Sequence, residues 1–169
     1  MPGTESDTLT LDSPAIDPSE MLSTKRSEIS KPERSPEILL ISPAREDHET
    51  LGRILCDLHP IGGAASCREA VAFLCRYRVP VIFCERDLPD GTWRDILSYT
   101  AELTNPPALI VTSRLADEYL WAEALNMGAY DVLAKPFHER EVRYALTGAL
   151  RLTTSPAPRV LTAGASGFE

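Results

Sequence analysis

"VIFCERDLPDGTW", residues 81–93, runs from four apolar residues directly into Glu85, Arg86 and Asp87 and then into a turn. A short apolar run with no polar alternation is the pattern of a strand covered on both faces. Such a strand needs helices above and below it, so the same pattern should recur between amphipathic segments. "EILLIS" (37–42), "VPVIFC" (79–84), "ALIVTS" (108–113) and "DVLAKP" (131–136) supply four strands of this kind, and the Gly-rich "IGGAAS" (61–66) reads as an edge strand. Apolar residues between them fall at helical spacing: Leu51, Ile54, Leu55 and Leu58; Cys67, Ala70, Val71 and Leu74; Trp93, Ile96, Leu97 and Thr100; Leu115, Tyr119, Ala122 and Leu125; Val142, Ala145, Leu146 and Ala149. Five strand–helix units with short connections predict an open α/β fold, a doubly wound parallel sheet whose crossovers are right-handed.

The composition sets the outer limits. With 169 residues, 43% hydrophobic and 25% charged, the chain supports one core. No apolar run approaches the roughly 18–20 residues that cross a bilayer. The acidic, Pro-broken "MPGTESDTLTLDSPAID" lacks the basic and apolar parts of a secretion signal, so a cytoplasmic location is expected. A formal net charge of -8 argues against holding nucleic acid by phosphate neutralisation. Residues 1–36 and 153–169 are biased toward Ser, Pro and other small or polar residues, and read as disordered tails around a domain at 37–152. Cys56, Cys67, Cys75 and Cys84 match no metal spacing and read as reduced, buried thiols. His48, His59 and His138 read as solvated side chains.

In a parallel α/β sheet, ligands gather at the carboxyl ends of the strands. The first strand ends in Ser42-Pro43, the third in Glu85-Arg86-Asp87, the fourth in Thr112-Ser113 and the fifth in Lys135-Pro136-Phe137. Together with "LPDG" (88–91) and "MGAYDVLAKPF" (127–137), this set resembles the receiver domain of two-component response regulators, the CheY-like superfamily, over residues 37–152. The resemblance implies a flavodoxin-like (βα)5 fold with strand order 2-1-3-4-5. It also implies a phosphoacceptor position at Glu85, an acidic metal-binding pair at Ser42 and Pro43, and phosphate-contacting equivalents at Thr112 and Lys135. The Lys135-Pro136 peptide is expected to be cis, as is frequent in such domains.

Several of these positions depart from the family pattern. The acceptor is Glu, not Asp, and the acidic pair is a hydroxyl and a proline, whereas Mg²⁺ asks for near-octahedral oxygen ligands with one or two carboxylates. The site is therefore expected to bind Mg²⁺ weakly or not at all, leaving no metal. Ser42-Pro43 also reads as a helix start, Ser as cap and Pro in the first turn, with Glu46 and Asp47 complementing the helix dipole or, as the lesser alternative, one of them reaching the pocket. The inward-turning aromatic of the fifth strand is replaced by Val132, a stiff β-branched residue, and Tyr130 lies two residues earlier. Asp87 is an alternative acceptor or the ion partner of Arg86. Thr92 is expected to cap the third helix, with Trp93 at the core edge.

These residues predict an atypical, stand-alone receiver, not an enzyme, acting in phosphorelay signalling as a protein-interaction module independent of aspartyl phosphorylation. Its partners would be a histidine kinase or a downstream regulator, met through helix four, strand five and helix five with Trp121 as an anchor, and the same face could carry a homodimer. Direct contact with nucleic acid or membrane is not expected. One alternative is a phosphorylation-competent receiver with Asp87 and Glu46 as unusual ligands. Another is a small nucleotide- or flavin-binding enzyme, although Gly62-Gly63 forms neither a GxGxxG nor a Walker motif.

Overall fold

A computed structural model describes residues 35–154 except Cys56. The segments read as tails otherwise lie outside the described residues. The chain order is β1 (Ile38–Ile41), α1 (Arg45–Leu55), β2 (Ile61–Ala64), α2 (Cys67–Leu74), β3 (Val81–Glu85), β4 (Asp87–Leu88), β5 (Gly91–Thr92), α3 (Trp93–Ala101), β6 (Ala108–Ser113), α4 (Glu118–Met127), β7 (Asp131–Ala134) and α5 (Glu139–Thr154). β4 and β5 form a two-residue antiparallel ladder of their own. The remaining five strands are parallel in the order β2-β1-β3-β6-β7, which is the expected 2-1-3-4-5.

The apolar runs explain this topology residue by residue. Successive strand side chains point to opposite faces, so each continuous run feeds two cores. Leu39, Ile41, Ile82, Cys84, Leu109, Val111 and Val132 pack with residues of α2, α3 and α4. Ile38, Leu40, Val81, Phe83, Ile110 and Leu133 pack with α1 and α5. Each fully buried large side chain contributes roughly 1.5–3 kcal/mol relative to exposure. The two layers therefore carry the stability, and the polar strand ends are free to serve function.

The glycines of the edge strand have a packing reason. A Cβ on Gly62 would stand 2.1 Å from Phe73 Cζ of α2, and one on Gly63 would stand 3.1 Å from His48 Nδ1 of α1. Gly128 closes α4 in the left-handed region, with φ 105°, a conformation that glycine adopts without the steric penalty a side chain brings.

Three expectations are corrected here. On α4 the buried positions are Leu120 and Ala124, whereas Leu115 and Tyr119 are 63% and 80% exposed. Asp117 caps this helix by accepting from Leu120 N at 2.8 Å, so the helix starts after Leu115 and its phase turns the bulkier residues outward. Leu58 lies beyond α1 and is exposed, since that helix ends at Leu55. Trp93 is fully buried rather than at the core edge, and its indole Nε1 has no partner among the described residues.

Candidate functional site

β3 ends at Glu85, which stands in register with Thr112 on β6. Its carboxylate thus rises from the carboxyl end of the sheet's middle strand. Lys135 directly follows β7, its peptide bond to Pro136 is cis, and its backbone N donates to Ser113 O at 2.9 Å. The ammonium of Lys135 donates to Glu85 Oε2 and also to Asp47 Oδ2 from the first turn of α1. Side-chain exposures of 8% for Lys135, 10% for Asp47 and 17% for Glu85 make this a nearly buried ion triad.

Asp47 is the residue that sequence reasoning assigned to the helix dipole. Its placement follows from Ser42, whose backbone N donates to Ala64 O at 2.9 Å and whose carbonyl meets His48 Nε2 at 2.8 Å. Ser42 Oγ accepts from Ala44 N at 3.1 Å and donates to Asp47 Oδ2 at 2.5 Å. This corrects two readings. Ser42-Pro43 precedes the helix instead of capping it, because α1 begins at Arg45. His48 is half-buried and bonded, not solvated. His59 is also engaged, meeting Glu37 at 2.6 Å, while His138 is exposed.

Other residues singled out in the sequence stand outside the triad. Asp87 pairs with Arg86 at 2.6 Å and is 64% exposed. Glu46 is 81% exposed and faces Arg114 at 3.8 Å. Thr112 is fully buried beside Glu85, and its Oγ1 has no partner among the described residues. Val132 is buried on the α4 side of the sheet. Tyr130 packs on the opposite side, with its hydroxyl over Gly148 of α5, where a Cβ would come within 2.2 Å. Tyr130 therefore does not share a face with Val132.

The geometry assembles a lysine, a carboxylate at the end of the middle strand and a buried threonine on one sheet end. Residues 38–147 match the response regulator receiver domain family. The chain belongs to this family. Over 112 residues it is 32% identical to the response regulator protein PilR of Pseudomonas aeruginosa, a match that takes in 64% of this chain and 24% of PilR. Among solved structures, the signal receiver domain of an HD domain-containing protein from Pseudomonas fluorescens Pf-5 superposes with a TM-score of 0.64 at 25% identity, covering 75% of this chain and 94% of that one. A two-component response regulator from Clostridium difficile superposes with a TM-score of 0.64 at 24% identity, covering 70% and 98%, and shows the shared fold. Receiver domains are signalling modules that interact with histidine kinases and downstream effectors.

In this receiver the fit of a divalent ion can be judged from the donors. Asp47 brings a second carboxylate to the site that Ser42-Pro43 does not supply. Both carboxylates nevertheless converge on one ammonium, and the Ser42 hydroxyl is spent on Asp47. Among the described residues no three His, Cys, Asp or Glu side chains group to hold a metal. The site thus presents two carboxylates that share one ammonium, where Mg²⁺ asks for one or two carboxylates with waters completing a near-octahedral shell.

Beside the site, the receiver's "LPDG" turn has a structural task. Asp90 accepts from the backbone N of Cys67 at 2.7 Å and of Arg68 at 3.0 Å, tying the β4–β5 hairpin to the start of α2. Those two N–H donors, Arg68 first, hold its carboxyl below the usual carboxylate range. Thr92 is the N-cap residue of α3, its backbone N donating to Asp95 Oδ2 at 2.8 Å and its Oγ1 to the same oxygen at 3.2 Å. Burial and the nearby Asp90 charge push the Cys67 thiol up to about 11, and burial also raises that of Cys84. Cys75 is exposed, which corrects the expectation of a buried thiol, and Cys56 lies outside the described residues. No helix among the described residues is long and apolar enough to cross a membrane.

Proposed function

We propose that this chain is a pseudo-receiver, a response-regulator receiver that signals through protein contacts without phosphorylation at the acceptor position. The observation that carries this reading is the Lys135 ammonium, shared between Glu85 and Asp47. In phosphoryl transfer the protein's task is to neutralise the negative charge of the moving group with cations already in place. Here the lysine is committed to two carboxylates of the chain itself, leaving one surplus negative charge where a phosphoryl donor would approach. With no divalent ion to offset it, that charge repels the donor.

Glu85 is also one methylene longer than the family's aspartate, and it meets the lysine directly. It acts as a built-in stand-in for part of a phosphorylated acceptor, with about -1 charge against roughly -1.5 to -2 for a phosphoryl group. Val132 removes the ring that such domains swing inward, and Tyr130 is committed to Gly148 on the other side of the sheet. The signal is then a standing surface rather than a switched one. Its surface is the α4–β7–α5 face, where Trp121 on α4 is 47% exposed and Tyr144 on α5 is 82% exposed. Exposed aromatic side chains of this kind anchor protein interfaces. A histidine kinase or a downstream regulator is the partner class, and a second copy of the chain could use the same face.

Nothing favours the reading in which Asp87 and Glu46 rebuild a phosphorylation site, because one pairs with Arg86 and the other sits exposed outside the triad. The decisive experiment is incubation of the full chain with acetyl phosphate and Mg²⁺, followed by intact-mass analysis. No phosphoryl adduct is expected, and Glu85→Asp alone should not create one. A stoichiometric adduct on Glu85 or Asp87 overturns the proposal.

A further inference from the structure

At the amino ends of β3 and β6, the pole of the sheet opposite the triad, a cavity of about 490 Å³ opens between the 75–80 and 103–107 loops and the last turn of α5. That volume lies within the roughly 300–1,000 Å³ of small-molecule sites. Leu74, Val79, Leu103 and Pro107 supply apolar wall, and Arg76 and Arg78 bring two cationic side chains to the same cavity. Neither guanidinium has a carboxylate partner among the described residues, whereas Arg45, Arg86, Arg94, Arg114 and Arg143 each face one. Between them, Tyr77 is 42% exposed and its ring is steadied by Phe73, with centroids 4.9 Å apart. Phe73 is itself seated over Gly62, so the tyrosine rests on a packed support.

We propose that this cavity is a ligand site, independent of the triad, for a nucleoside phosphate, an anion that carries a planar base. Guanidinium forks match phosphate geometry and remain charged at any physiological pH. A supported tyrosine ring and arginine planes offer stacking surfaces for a base, and the leucine, valine and proline wall covers its apolar edge. The chain's overall charge of -8 repels anions, so an anion held here is held by these two arginines and not by a general basic field. The site uses loop residues at the amino ends of the strands, away from Glu85 and Lys135, and its occupancy does not depend on how the triad functions.

The test is an NMR titration of the ¹⁵N-labelled full chain with AMP, with adenosine and inorganic phosphate as separate arms. AMP is expected to give saturable amide shifts confined to residues 74–80 and 103–107. Arg76→Gln with Arg78→Gln should weaken AMP binding roughly tenfold or more while leaving amides outside the cavity unmoved. Absence of saturation overturns the proposal, as does AMP binding unchanged in the double variant. Equal shifts from phosphate alone, or equal affinity for adenosine alone, overturn it as well, since either shows that only half of the ligand is recognised.

Discussion

Asp47 sets the electrostatics of the candidate site. Removing Lys135 leaves two carboxylates facing each other with side-chain exposures of only 10% and 17%, a break in a buried pairing that costs about 3–5 kcal/mol. Removing Asp47 leaves Lys135 and Glu85 as a one-to-one pair and loses hydrogen bonds worth about 1–2 kcal/mol. Urea unfolding at neutral pH should therefore rank Lys135→Met well below Asp47→Ala in stability, and the reverse order contradicts a shared ammonium. Glu85, Thr112 and Lys135 were legible in the sequence because each closes an apolar strand. Asp47 was legible only as the lesser of two readings, because its reach depends on α1 starting at Arg45 after the Ser42–Ala44 turn, and an acid in a first helical turn is ordinarily a dipole partner.

At the scale of elements, small residues and caps fix how helices meet the sheet. Gly62→Ala puts a methyl group 2.1 Å from the Phe73 ring and should destabilise the chain by about 1–3 kcal/mol in chemical denaturation, with Phe73→Leu in the same chain restoring part of the loss. Asp90 binds the start of α2 as a carboxylate, and folding lowers its pKa from the ordinary 3.8. Its stabilisation is thus present above that value and fades as pH falls through the lower folded value. Asp90→Ala should lower the melting temperature at neutral pH, and its gap to wild type should close below about pH 4; a gap constant with pH contradicts the cap. The Gly-rich edge strand was readable as a strand, but not the ring over Gly62, which is a contact between separate elements. α4 misled for a related reason: its bulkiest apolar residues invite a stripe through Tyr119 and Leu125, yet the Asp117 cap sets the phase that buries Leu120 and Ala124.

For the molecule as a whole, topology was the most legible level. Unbroken apolar runs require two covering layers, and the structure divides the strand residues between α2, α3, α4 on one face and α1, α5 on the other. That scaffold is indifferent to the chemistry at its strand ends, which lets this receiver place two carboxylates around one ammonium there. Lys135 holds both carboxylates of this site, and the proposed pseudo-receiver needs no divalent ion there. The direct measurement is an NMR titration of the full chain with Mg²⁺ at neutral pH, following the amides of Glu85, Arg86 and Ser113. No saturable change is expected through millimolar Mg²⁺. Saturable binding at those amides, abolished in Glu85→Gln or Asp47→Asn, contradicts it.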